Sequence, residues 1–168
     1  MGTLCNIETE RLLLRPLADE EWTMLVDRVS DAEESLFQFG IEADEFHKET
    51  VAKPYREAVR YYAIVLTGSD TVIGYVGFTP RSNNLEFYVL GEFRRQGYAL
   101  EALSAFVQMC ADGKVTGKSP AKIVTKVIIE NTACIELMKK LGFTECGCGF
   151  SITSGWGFVE FEYVEGKG

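Results

Sequence analysis

The densest concentration of residues able to do chemistry is the nonapeptide Gly91-Glu-Phe-Arg-Arg-Gln-Gly-Tyr-Ala99. It connects an expected strand to an expected helix. Arg94 and Arg95 stand just before the helix N-terminus, where the positive end of the dipole repels cations and favours an anion. Gly97 removes the side chain that would block close backbone approach, so successive N–H groups could cradle a phosphate or pyrophosphate with the arginines beside it. The same residues also fit a solvated loop in which Glu92 pairs with an arginine. No GK[ST] follows and no GxGxxG opens a βαβ unit, which excludes a Walker A loop and the dinucleotide fingerprint.

Two further places carry reactive groups. Glu86 lies mid-strand among Leu85, Phe87, Tyr88, Val89 and Leu90, and strict alternation puts it on one face with Tyr88. If that face opens into a cleft, partial burial raises the carboxyl above its usual 4.3 or so and makes it a general base; an exposed edge position or a cross-strand ion pair fits equally well. Asn131 and Cys134 stand at the mouth of another helix, where capping explains the first and an apolar stripe the second. His47, the single histidine, lies in an acidic stretch without a partner motif, which suits a surface or capping role.

Periodicity supplies the elements that position these groups. A first strand is expected over 11–15, ended by Pro16, and a helix over 19–29 with Trp22, Leu25, Val26 and Val29 on one face. A weaker helical stretch follows over 44–61, with Pro54 beginning or kinking part of it. Strands over 62–67, 71–79 and 85–90 read as an antiparallel meander turned by Gly68-Ser69-Asp70 and Asn83-Asn84. Leu100, Leu103, Phe106, Val107 and Cys110 repeat at helical spacing up to Gly113. A β-branched buried strand over 122–129 leads into a helix capped by Asn131 and ended by Gly142-Phe143. Strands over 144–152 and 156–164 close the chain as a hairpin. The order β, α, α, three-stranded meander, α, β, α, β, β implies an α+β sheet with helices on both faces, one domain over residues 7–164.

Composition narrows the function classes. The 168 residues are 46% hydrophobic, enough for a sizeable core, and carry 17 Lys+Arg against 25 Asp+Glu, a formal charge of −8. That balance argues against nucleic acid as a main partner. No apolar run approaches the length that spans a bilayer, so no membrane partner is expected. Five cysteines at 5, 110, 134, 146 and 148, with no CxxC pair, fit a reducing, cytoplasmic setting and make a poor metal set.

Taken together, these segments resemble the GNAT superfamily of N-acetyltransferases, and within it the ribosomal-protein alanine acetyltransferase-like branch. Glu8 to Pro16 (ETERLLLRP) looks like that branch's opening strand. Arg94-Arg-Gln-Gly97-Tyr-Ala99 matches the R/Q-x-x-G-x-G/A loop, with Ala99 in the last small-residue slot. Asn131-Thr-Ala-Cys134 with LMKKLGF over 137–143 is similar to the branch's N-x-x-S and E/K-x-LGF element.

The resemblance implies the GNAT fold, a mostly antiparallel mixed sheet splayed at its centre, with acetyl-CoA as cosubstrate and no metal. Mapped onto this chain, Arg94, Arg95, Gln96, Gly97, Tyr98, Ala99 and Leu100 would hold the pyrophosphate. Tyr88, Val89 and Leu90 would lie along the pantetheine, with Asn131 bonding it from the other side. An amide near Val89 or Leu90 would polarise the thioester carbonyl. An acceptor amine arrives mostly as ammonium, so a base is required, and Glu86 is the candidate; the branch often carries its acid where this chain has Asn84, two residues away on the same face. Cys134 fills the family's serine slot, where a thiol near 8.5 could protonate departing CoA. The acceptor would be an amine. The eleven acidic residues between Asp19 and Glu49 favour a cationic one, although solvated helix faces give the same bias. Phe37, Phe39, Tyr61, Tyr62 and Trp156 are candidates for its walls or for core. A homodimer, and a catalytically weak acyl-CoA-binding or regulatory module of the same fold, stay open.

Overall fold

The computed structural model describes residues 5–29, 61–78, 84–115, 122–152 and 155–166. A first sheet runs in the order β1 (Ile7–Glu8), β2 (Leu12–Pro16), β3 (Tyr61–Leu66), β4 (Val72–Phe78), β5 (Leu85–Val89), all antiparallel. A second, antiparallel sheet has the order β6 (Ile123–Ile128), β8 (Gly157–Tyr163), β7 (Thr144–Phe150). Three α-helices, α1 (Asp19–Val29), α2 (Tyr98–Ala111) and α3 (Thr132–Lys140), and a 3₁₀ turn at Gly91–Phe93 complete the described elements. This is the expected α+β architecture. Among the described residues no helix is long and apolar enough to cross a membrane.

Alternation along the first sheet sorts its side chains into two cores. Tyr62, Ile64, Val76, Phe78 and Leu85 pack against Leu103, Phe106, Val107 and Cys110 of α2. From their neighbours in sequence, Tyr61, Tyr75, Tyr88 and Leu90 turn to the other face and meet Trp22 and Leu25 of α1. The second sheet and α3 join the α2 core through Ile123, Val127, Phe161, Met138 and Phe143.

Local chemistry accounts for the helix ends. Ala18 precedes α1, and Glu21 accepts its N–H at 3.0 Å while pairing with Arg15 at 2.6 Å, the glutamate half of a capping box tied to β2. Gly142 ends α3 at φ +87°, with Phe143 N–H bonded to Met138 O (3.0 Å) and Gly142 N–H to Lys139 O (3.1 Å), the two bonds of a Schellman turn.

Several expected boundaries shift. The opening strand covers Leu12–Pro16 rather than 11–15, because Pro16 still pairs with Tyr62, and the two-residue β1 is too short to show in a pattern. Tyr61 begins β3 instead of ending a helix, since its side chain fills the α1 core; the rest of that expected helix, His47, Phe37 and Phe39 lie outside the described residues. The strand read as fully buried, β6, is buried on one face only: Ile123, Thr125 and Val127 are covered, and Ile129 beyond it is exposed.

Among the described glycines, Gly74 leaves the least room for a side chain. A Cβ there would run into the Tyr88 carbonyl of β5 and lie 3.0 Å from Val89 Cα. Gly74→Ala is expected to lower stability by about 2–3 kcal/mol, read as a fall of several degrees in the melting midpoint, because β5 must move off β4.

Candidate active site

The two sheets touch through β5 and β6, which run side by side in parallel. Their contact is made at the strand starts, where Asn84 bridges Val124 and the Thr125 hydroxyl donates to Leu85 O at 2.9 Å. Farther along, β5 borders a cleft of about 920 Å³. One wall is the backbone and side chains of 87–90, and the other is the start of α3 with Asn131, Ala133, Cys134 and Leu137. Of the residues assigned to catalysis or to CoA from the sequence, all line this cleft except Glu86 and Gln96.

β5 remains bonded to β4 along its full length, and that fixes which groups face the cleft. Leu90 N–H donates to Ile73 O at 2.8 Å, so it is spent inside the sheet. Antiparallel alternation then turns the N–H and C=O of Val89 the other way, toward the cleft. Of the two amides considered from the sequence, Val89 is therefore the donor the cleft can use. The Val89 carbonyl accepts from Arg94 Nε at 2.8 Å, and the Arg94 guanidinium lies 5.2 Å from the Tyr88 ring centre. Arg94 thus braces the strand end, a use that loop composition alone does not reveal.

The loop after β5 makes a 3₁₀ turn over Gly91–Phe93 and enters α2 through two left-handed residues, Arg95 (φ +61°) and Gly97 (φ +81°). Gly97 is the N-cap of α2 and no side chain caps the helix, so its first-turn N–H groups point outward at the cleft. That arrangement can bind a diphosphate by backbone donors and helix dipole together. Glu92 does pair with an arginine, but the partner is Arg28 of α1 at 2.5 Å, which ties α1 to the cleft rim. Arg28 carried no sequence signal because its partner is 64 residues away.

Asn131 caps α3, its Oδ1 accepting Cys134 N–H at 3.2 Å. Cys134 is half-buried in the wall, and desolvation pushes its thiol up to about 12. Against the ordinary 8.5 or so of a thiol, that makes it a poorer acid than the sequence reading assumed.

Glu86 sits on the α1 face of β5, behind Tyr88 and off the cleft wall. Tyr75 and Tyr61 donate their hydroxyls to its two carboxylate oxygens at 2.8 and 3.0 Å, and Trp22 stacks on Tyr61. Burial raises the carboxyl above its ordinary range, and the two tyrosine hydroxyls pull against that without cancelling it. Tyr61, a candidate for the acceptor-side wall or for core, and Tyr75, which carried no sequence signal, are the groups that orient this acid. Tyr62 is core on the opposite face and Trp156 is half-buried near the closing hairpin. No group of three or more His, Cys, Asp or Glu that could hold a metal occurs among the described residues.

With this geometry in place, comparison with known proteins is decisive on one point. Residues 11–144 match the model of the GNAT acetyltransferase domain. The chain belongs to the GNAT acetyltransferase family. That membership implies acetyl-CoA-dependent N-acetylation. Solved structures agree on the fold: a GNAT-family acetyltransferase from Bacillus anthracis (17% identity, 96% of this chain and 99% of that one, TM-score 0.74). A spermidine N-acetyltransferase from Vibrio cholerae, solved with CoA and spermine, is similar at 18% identity over 95% and 98% of the chains (TM-score 0.73). A protein from Vibrio cholerae described as a candidate ribosomal-protein-serine acetyltransferase is similar at 20% identity over 98% and 99% (TM-score 0.67). No curated protein sequence matches the chain.

The raised Glu86 carboxyl has a consequence for stability. A folded pKa above the unfolded one favours the fold below the unfolded value, about 4.3, and that advantage is lost as pH rises through the folded value. Glu86→Gln keeps an acceptor for the tyrosine hydroxyls. It is expected to melt a few degrees above the native protein near pH 7 and level with it below about pH 4, as thermal unfolding across pH will show.

Proposed function

We propose that the cleft is the acyl-donor site of an N-acetyltransferase moving an acetyl group from acetyl-CoA to a primary amine, a protein N-terminus or a small-molecule amine, by direct attack in a ternary complex. The observation that carries this is the uncapped start of α2, with Arg95 and Gly97 left-handed, at the mouth of a cleft between the end of β5 and the start of α3. The backbone from Arg95 to Leu100 holds the diphosphate, with Gln96 contributing its peptide and Arg94 its charge. Tyr88, Val89 and Leu90 line the pantetheine. Asn131, whose Oδ1 is committed to its cap, donates through its NH₂.

Val89 N–H polarises the thioester carbonyl as an oxyanion-hole donor does. Glu86, oriented by Tyr61 and Tyr75, takes the ammonium proton directly or through water. Its raised pKa places it closer to the working pH, where a base is most effective. Holding donor and amine together removes the entropy cost of their encounter and supplies much of the rate. Cys134 contributes shape and a neutral thiol beside the sulfur, not an acyl-cysteine. The formal charge of −8 favours a cationic acceptor. We also assign residues 7–164 to one domain, the chain to the ribosomal-protein alanine acetyltransferase-like branch, and its five free cysteines to a cytoplasmic setting.

A catalytically weak acyl-CoA-binding module is the second reading, favoured by Glu86 lying off the cleft wall. Thiol release from acetyl-CoA with a panel of amines and peptide N-termini separates them: acceptor-dependent release supports the enzyme, binding without it the module. Gly97→Glu should abolish CoA affinity measured by calorimetry, and native affinity would remove the diphosphate assignment. In the same release assay Glu86→Gln should lose about 10²-fold or more near neutral pH, along with the acidic limb of the rate profile. Cys134→Ser should retain appreciable turnover; complete loss would require a cysteine-specific step.

A further inference from the structure

The loop before α2 holds two left-handed residues in three, and one of them, Arg95, carries a side chain that disfavours that conformation. Such a shape persists only when its surroundings fix it. The peptide between the two, at Gln96, is held from outside the loop: Arg11, just before β2, donates from Nη1 to Gln96 O at 2.9 Å. The Arg11 guanidinium lies 4.5 Å from the Tyr98 ring centre, and its Nη2 would stand 3.3 Å from a Cβ on Gly97.

Arg11 is itself fixed by Glu101, in the first turn of α2. Arg11 Nε donates to Glu101 Oε2 at 2.7 Å, and the Arg11 backbone N–H donates to Oε1 at 2.8 Å. Thr9 adds its hydroxyl to Oε1 at 2.6 Å. Burial alone would raise this carboxyl, but the bonds from Thr9 and from the Arg11 backbone and side chain hold it below its ordinary range. A carboxylate one turn into the helix whose start would take a diphosphate repels that ligand unless a cation offsets it. Arg11 is that cation.

We propose that Arg11, locked by Glu101 and Thr9, is a positioning residue for the diphosphate loop: it fixes the Gln96 peptide in the cradle conformation and neutralises the carboxylate behind it. This rests on the reading of that loop as the CoA diphosphate site. Arg11 acts from the rear of the loop, through Gln96 and Gly97, and the cleft wall does not include it. A sequence reading would place Arg11 in a strand-entry motif and Glu101 on a helix, 90 residues apart.

The test is the Kd for CoA and for pantetheine, which lacks the diphosphate, in native protein and in Arg11→Ala, Arg11→Lys, Arg11→Ala/Glu101→Gln and Gly97→Glu. Arg11→Ala should weaken CoA about tenfold or more, the scale of a charge-assisted bond lost at a partly exposed site. Arg11→Lys keeps the charge without the planar fork and should weaken it about threefold. Removing the orphaned carboxylate in the double variant should recover part of the Arg11→Ala loss, which a purely structural role would not do. Pantetheine affinity should stay within about twofold throughout. CoA affinity near native in both Arg11→Ala and Arg11→Lys overturns the inference, as does equal weakening of CoA and pantetheine. Should Arg11→Ala fail to fold, Arg11→Lys decides. Gly97→Glu separates the two levels: if it binds CoA like the native protein, the diphosphate reading itself fails; if it does not and the Arg11 variants do, only the brace fails.

Discussion

β5 is bonded along one edge and let go along the other, and the cleft exists because of that asymmetry. On the β4 side the ladder continues to Leu90, whose N–H closes on Ile73 O, and Gly74 lets the two backbones come close enough for it to do so. On the β6 side the link is made at Asn84 and Leu85. A central strand that parts from its neighbour exposes backbone donors and acceptors that an ordinary sheet would consume. Val89 shows the consequence in miniature: its carbonyl is taken up by Arg94, and its N–H is turned to the space where an extended polar chain can pair with it.

The charges around this opening are arranged in pairs that also serve as joints. Arg28 with Glu92 ties α1 to the turn after β5, Arg15 with Glu21 ties α1 to β2, and Arg11 with Glu101 ties the entry of β2 to the start of α2. Pairs at or near the surface, as these are, contribute little to stability one at a time. Their value here is geometric, because each joins an element that borders the cleft to another part of the fold, and the loop after β5 has to keep a shape its own residues do not favour. The acid on the far face is handled differently. Glu86 is desolvated, and two tyrosine hydroxyls from β3 and β4 hold it in place, a setting that keeps a carboxyl closer to neutrality than it would be in water.

Much of this was legible in the sequence. Trp22 and Leu25 marked α1, the stripe Leu103, Phe106, Val107 and Cys110 marked α2, and Asn131 and Gly142 bracketed α3, because those signals are local and periodic. The nonapeptide from Gly91 to Ala99 drew attention to the loop for the same reason, although its residues alone fit a solvated turn as well as an anion cradle. What stayed hidden was long-range. That Tyr61 and Tyr75 converge on Glu86 depends on strand register, and that Arg11 reaches Gln96 depends on how β2 lies across the start of α2. The thiol of Cys134 looked like an ordinary acid until its wall was in place. Tyr61 also looked helical, and only the aromatic core against Trp22 made it a strand residue.

A crystal structure with CoA bound tests the central claim most directly. The diphosphate should lie on the backbone amides between Arg95 and Leu100, with the pantetheine running between β5 and α3 and a polar atom of it within hydrogen-bonding distance of Val89 N–H. Ordered CoA seated elsewhere, with that loop bare and β5 and β6 closed on each other, would contradict it.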